Sequence, residues 1–138
     1  MMQSIESDDR WAAGRSPRGN RFVLLEHTGH PDDPTGRHFD LLLEQTDACQ
    51  TWRLAEIPQL GGPTIAATLL PPHRLAWLDT AAAEVSGGRG FACRVAAGCY
   101  EHLPLAATAN SLQARIRLTG SQSSGILEIT ASGFATLR

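Results

Sequence analysis

The chain contains no lysine: all twelve of its Lys and Arg cations are arginine. Cysteine is nearly as scarce. Cys49, Cys93 and Cys99 are odd in number and show no C-x-x-C spacing, which excludes a disulfide framework and a cysteine-built zinc site and predicts reduced, mostly buried thiols. No apolar run approaches the roughly 18 residues that a membrane-spanning helix needs, and the N-terminal MMQSIESDDRWAAGRSPRGNR has no apolar signal-peptide core, so a cytoplasmic protein with no membrane partner is expected. A long amphipathic helix is missing too. The formal net charge of -2 supplies no general attraction for nucleic acid, so a polyanion would have to be held by a local cluster of arginines. An all-arginine cation set suits bidentate phosphate contacts; it more often reflects a GC-rich genome.

What is present reads as β-structure. At 138 residues, with 42% hydrophobic and 19% charged residues, the chain is sized for one domain with its own core. Residues 1–20 mix Ser, Asp, Arg, Gly and Pro around an isolated Trp11 and predict a flexible N-terminal arm, leaving 21–138 as the domain. From Arg21 onward, short apolar runs alternate with Gly/Pro/Asn/Ser clusters. That rhythm predicts a small single-domain all-β barrel or sandwich of about seven or eight strands with little helix. Strands are expected at about 21–27, 37–45, 50–56, 73–79, 90–96, 111–119 and 124–131, the last two forming a hairpin through GSQSSG. The proline-bounded segment 57–73 is expected to be a loop, and TAAAEV a short helix capped by Thr80.

The chemistry concentrates in HTGHPDDPTGRHFDLLLE, residues 27–44, which holds three of the five histidines. In HFDLLLE the strand period puts His38, Asp40, Leu42 and Glu44 on one face and Phe39, Leu41 and Leu43 on the other, the core face. His27 ends the preceding strand, and a hairpin would bring it beside His38. Two imidazoles and a carboxylate with open coordination positions make a catalytic type of metal site rather than a closed structural one. An H-x-D pair on a strand face is also a common hydrogen-bonded surface pair. His30, Asp32 and Asp33 lie in the Pro/Gly-rich connection; they could serve as ligands, but solvated turn chemistry is the commoner role there. H-x-D with a distant His73 or His102 would also match the facial triad of a non-haem iron oxygenase.

The order of motifs RFVLLEH, HFDLLLE, TWRL, HRLA at 73–76, GCYE at 98–101 and LQARIRLTGSQSSGILEIT resembles the 3′-phosphoesterase domain of bacterial DNA ligase D, in a short, stand-alone form, over about 21–130. That family is a small β-barrel whose manganese-dependent site trims 3′-terminal ribonucleotides and removes 3′-phosphates before ligation. The resemblance implies His27, His38 and Asp40 as ligands of a divalent metal, with manganese first and zinc or cobalt as alternatives. It also implies a nucleic-acid 3′ end as substrate and end-joining proteins as partners. The metal would polarise a phosphoryl oxygen and help to generate the attacking hydroxide, while arginines neutralise the developing charge. Arg74 in HRLA and Arg89 in the glycine-rich SGGRG turn are the arginines expected in that catalytic role, although an exposed strand residue and a plain β-turn explain them as well. His73, next to Arg74 on a strand, would point to the opposite face.

The chain also departs from the family pattern. Leu42 stands where the family has an arginine, and Glu56 where it has a lysine. The family's downstream histidine and tyrosine fall against DTAAAEVS and find no counterpart. These losses bring in the alternative of a catalytically weak or inactive module of the same fold that binds metal or nucleic acid. Trp52 and Trp77 are expected as core; Tyr100 and His102 could border the site, although an aromatic packed on the rim explains Tyr100 as well.

Overall fold

The computed structural model describes residues 20–105 and 111–138. The expected arm, apart from Asn20, lies outside them. Nine strands form in chain order: β1 (Arg21–Thr28), β2 (Arg37–Glu44), β3 (Cys49–Leu54), β4 (Ile65–His73), β5 (Ala82–Glu84), β6 (Phe91–His102), β7 (Leu112–Gly120), β8 (Gly125–Thr130) and β9 (Phe134–Leu137). A short 3₁₀ helix, η1 (Leu75–Asp79), lies between β4 and β5. The neighbour order β1-β2-β3-β4-β9-β8-β7-β6 closes through an antiparallel β1–β6 pairing, so eight strands form a barrel-like ring, and β5 adds to the start of β6. Among the described residues no helix is long and apolar enough to cross a membrane.

Period-2 alternation decides which side chains fill the ring. Phe22, Leu24, Phe39, Leu41, Leu43, Trp52, Leu54, Ile116, Leu118, Leu127 and Ile129 point inward and form the main core. Closure of the ring depends on two glycines facing each other. Gly98 of β6 pairs with Gly120 of β7, and a Cβ on either would run into the opposite backbone and the Phe22 ring.

The outward face is partly covered as well. Val23, Leu25, Leu42, Cys49, Leu78 and Ala92 form a second apolar cluster, with Leu75, Trp77 and Val85 packed on it. The segment from η1 to β5 therefore lies over β1 and β2 as a cover. Every residue of β2 except its two ends is accordingly buried.

Five sequence expectations change. Residues 57–73 are not simply a loop, because Ile65–His73 is β4. Its prolines are tolerated because Pro71 and Pro72 fall where the β3–β4 register slips between the Thr51–Leu70 and Cys49–His73 pairs, so no ladder hydrogen bond is demanded of them. Residues 75–79, expected as strand, are the 3₁₀ helix. The alanines of TAAAEV pair with β6 as β5 instead of coiling into a helix, tertiary pairing overriding a weak local preference. β9 was not foreseen. Of the cysteines, all free, only Cys49 is buried, while Cys93 is intermediate and Cys99 exposed.

A candidate metal centre on the outer face of the ring

The β1–β2 hairpin register pairs His27 with His38 directly, and Leu25 with Asp40. Since Phe39 and Leu41 fill the core, His38 and Asp40 point outward, as does His27. All three are buried, at 7%, 3% and 3% exposure, an unusual depth for an outward face and a result of the covering segment. Each offers one ligand atom, and those atoms lie within 4.8 Å of one another. The group could hold a metal ion, and its two imidazoles and one carboxylate are a donor set for a borderline divalent cation.

The tautomers of both rings are fixed from outside. His27 Nε2 lies 2.7 Å from the carbonyl oxygen of Arg89, an atom that only accepts, so the proton is on Nε2 and the Nδ1 lone pair faces Asp40 Oδ2 at 3.5 Å. His38 Nδ1–H donates to Asp33 Oδ2 at 2.8 Å, which leaves Nε2 facing Asp40 Oδ1 at 3.5 Å. This is the carboxylate–histidine arrangement that orients metal-ligating imidazoles. Among the described residues His38 Nε2 and Asp40 Oδ1 are buried without a hydrogen-bond partner, a costly arrangement that a bound cation would relieve. The residues present therefore fit a metal.

Charge in the site is poised for that exchange. Burial alone would raise the Asp40 carboxyl, but the facing His38 imidazole and its charge, with His73 and His27 nearby, hold it below its ordinary range. Burial likewise opposes a charged His38, yet the Asp40 and Asp33 carboxylates raise its pKa, against a smaller opposing effect of Arg53. Thr35 and His38 hold Asp33 itself down at about 2.

Two cavities meet at the site. The first, about 390 Å³, is bounded by His27, Asp40, Arg53, His73, Arg74 and Arg89, with Trp77, Val85 and Pro71 among its apolar walls. The second, also about 390 Å³, lies on the His38 side, between Asp33, Arg37, Arg53 and Thr68. Both sequence-selected arginines thus border the first cavity. His73 joins them, contrary to the expectation that only one of the His73–Arg74 pair could reach the site, because the strand ends at His73 and Arg74 already turns into η1. The Arg89 side chain bonds back to Ser86, its Nε to the carbonyl oxygen at 2.7 Å and its guanidinium to Oγ at 3.0 Å, so this residue reaches the ligands chiefly through its carbonyl. Gly90 makes that possible. Its φ of +96° turns the chain against β1, where a Cβ would collide with the Thr28 carbonyl oxygen.

His102 stacks beside Tyr100 at 5.3 Å and takes no part in the ligand group, so a facial triad completed by His102 is not formed. Tyr100 is buried, donating its hydroxyl to the Glu44 carbonyl at 2.6 Å. Trp52 is core as expected, whereas Trp77 sits on η1 and lines the first cavity. Two contributors escaped the sequence. Asp33, assigned to solvated turn chemistry, makes its turn contacts with Thr35 and also holds His38. Arg53 borders both cavities, and the alternation of TWRL could have found it: with Trp52 inward, Arg53 must face outward beside Asp40, its register partner. The chain matches no family model and no curated protein, so the centre has to be understood from its own geometry.

Proposed function

We propose that this protein is a metal-dependent phosphoesterase acting on the 3′ ends of nucleic acid, of the 3′-phosphatase or 3′-ribonuclease type used in DNA end repair, with manganese as its metal. The observation that carries the proposal is the convergence of His27, His38 and Asp40 at the rim of a cavity bordered by Arg53, Arg74 and Arg89. A cation site open to an arginine-lined cavity is suited to a phosphorylated guest. Bound between the three ligands, the metal would polarise a phosphoryl oxygen and lower the pKa of an attacking water. The protein's own groups do the rest. The Arg89 carbonyl and the Asp33 carboxylate hold the two imidazoles in their ligating tautomers, Arg74 offsets charge on the phosphoryl oxygens, and Trp77 and Val85 exclude bulk water from one wall.

Hydrolysis of 3′-phosphate and 3′-ribonucleotide primer-templates, with Mn²⁺, Co²⁺ or Zn²⁺ supplied, tests the proposal. Activity with Mn²⁺ that is abolished by Asp40→Ala, and reduced by Arg74→Ala while metal affinity holds, is the expected result. Inactivity with all three metals would defeat it.

One set of observations favours a second reading, a module of this fold that binds metal or nucleic acid without efficient catalysis. Leu42, where the resemblance calls for a cation, is fully buried in the outer apolar cluster, and Glu56 puts an acid at the second cavity. Calorimetric binding of Mn²⁺ and of a 3′-phosphorylated oligonucleotide, with no turnover, would select that reading.

A further inference from the structure

Arg53 is placed in an uncommon way. It is the register partner of Asp40 on one side and of Thr68 on the other, facing outward from the middle of the β2-β3-β4 sheet. Its Nε is buried and, among the described residues, has no hydrogen-bond partner, although a carboxylate sits on the adjacent strand. Three unpartnered buried polar atoms, Arg53 Nε, His38 Nε2 and Asp40 Oδ1, therefore occur together on adjacent strands. A cation satisfies the last two and leaves the first wanting an acceptor.

The same guanidinium separates two spaces of different chemistry. The first cavity carries Arg53, Arg74, Arg89 and His73 against the single acid Asp40, and so suits an anion. In the second, Arg37 is paired with Glu26 at 3.3 Å and Asp33 with His38 at 2.8 Å, while Glu56 adds a further acid. A second phosphate would be repelled there. Hydroxyls of Thr35 and Thr68, with small side chains at Ala55 and Ala66, leave room for a polar, uncharged, flat group.

We infer that Arg53 is the substrate-positioning residue of this centre, seating one phosphoryl group on its first-cavity side while the nucleoside bearing that group enters the second cavity. The inference rests on the phosphoesterase reading and narrows it: recognition extends to one nucleoside and its own 3′-phosphate, with the saddle between them at Arg53.

Calorimetry on the Mn²⁺-loaded protein, with inorganic phosphate and thymidine 3′-monophosphate as probes, tests this. The nucleotide should bind about tenfold or more tighter than phosphate. Arg53→Met, which keeps the side-chain stem, should weaken both probes by roughly tenfold to a hundredfold, with the Mn²⁺ EPR signal of the bound ion unchanged. Ala66→Trp, at an exposed position that tolerates bulk, should close the second cavity, weakening the nucleotide and sparing phosphate. Should Arg53→Met fail to fold, Arg53→Lys takes its place, with phosphate about tenfold weaker for loss of the planar fork. An unchanged nucleotide-to-phosphate ratio in Ala66→Trp, or undiminished phosphate binding without the Arg53 guanidinium, overturns the inference. If binding follows this pattern but no 3′ end is ever hydrolysed, the phosphoesterase reading fails and the phosphate seat stands; turnover together with indifferent binding has the opposite meaning.

Discussion

Asp33 illustrates how a loop residue comes to control a buried centre. Its Oδ1 accepts from the backbone N–H of Thr35 at 3.0 Å and from the Thr35 hydroxyl at 2.6 Å, and its Oδ2 accepts from His38. These contacts, the Thr35 hydroxyl first and His38 next, hold the carboxyl at about 2, below its ordinary 3.8. The depressed value fixes the sign of the pH dependence. The stabilisation is fully present above the unfolded value and is lost as pH falls from about 3.8 to about 2. In Asp33→Ala that limb of the acid denaturation curve should disappear. Mn²⁺ affinity at neutral pH should also fall by about tenfold to a hundredfold, because His38 loses the partner that fixes its tautomer. Denaturation followed at stepped pH, together with a metal titration, checks both halves; an unaltered affinity would mean that the contact is incidental. Leu42 makes the complementary point. Fully buried under η1, it cannot be exchanged for an arginine without placing a charge in apolar packing.

At the scale of elements, the site is the product of one hairpin and one glycine-rich turn. The hairpin was legible: HFDLLLE alternates cleanly, the His27–His38 pairing follows from a strand that ends in histidine, and the buried faces of β2 and β3 are as the period requires. The covering segment was not. Its alanines and prolines carry little local information, and both β5 and the β4 bulge exist because neighbouring strands supply pairing partners that no local pattern reveals. The Arg89 carbonyl was equally hidden, since a backbone acceptor has no residue signature. Its position depends on Gly90, and Gly90→Ala should strain the turn or lift it from Thr28. A loss of about 2 kcal/mol in urea denaturation is expected, with weakened Mn²⁺ binding, while far-UV circular dichroism remains native in shape. Normal metal binding in that variant would show that the Arg89 carbonyl is not what holds His27.

For the molecule as a whole, the ring is unevenly closed. β1 is flanked by β2 and β6 over its whole length, whereas β4 meets β9 only at Ile65–Ala135 and Ala66–Phe134, with a further hydrogen bond from the Ala67 N–H to the Gly133 carbonyl. Opening should begin at that junction, with β9 amides exchanging hydrogen orders of magnitude faster than those of β1. Withdrawing the metal with a chelator should leave this ranking and the far-UV spectrum intact, because both ligand-bearing strands keep a neighbour on each side; collapse of the spectrum would make the ion part of the fold instead. The short β4–β9 overlap thus acts as a clasp set two strands away from the ligands. A chain strained by heat or denaturant can come undone there first and still keep His27, His38 and Asp40 together.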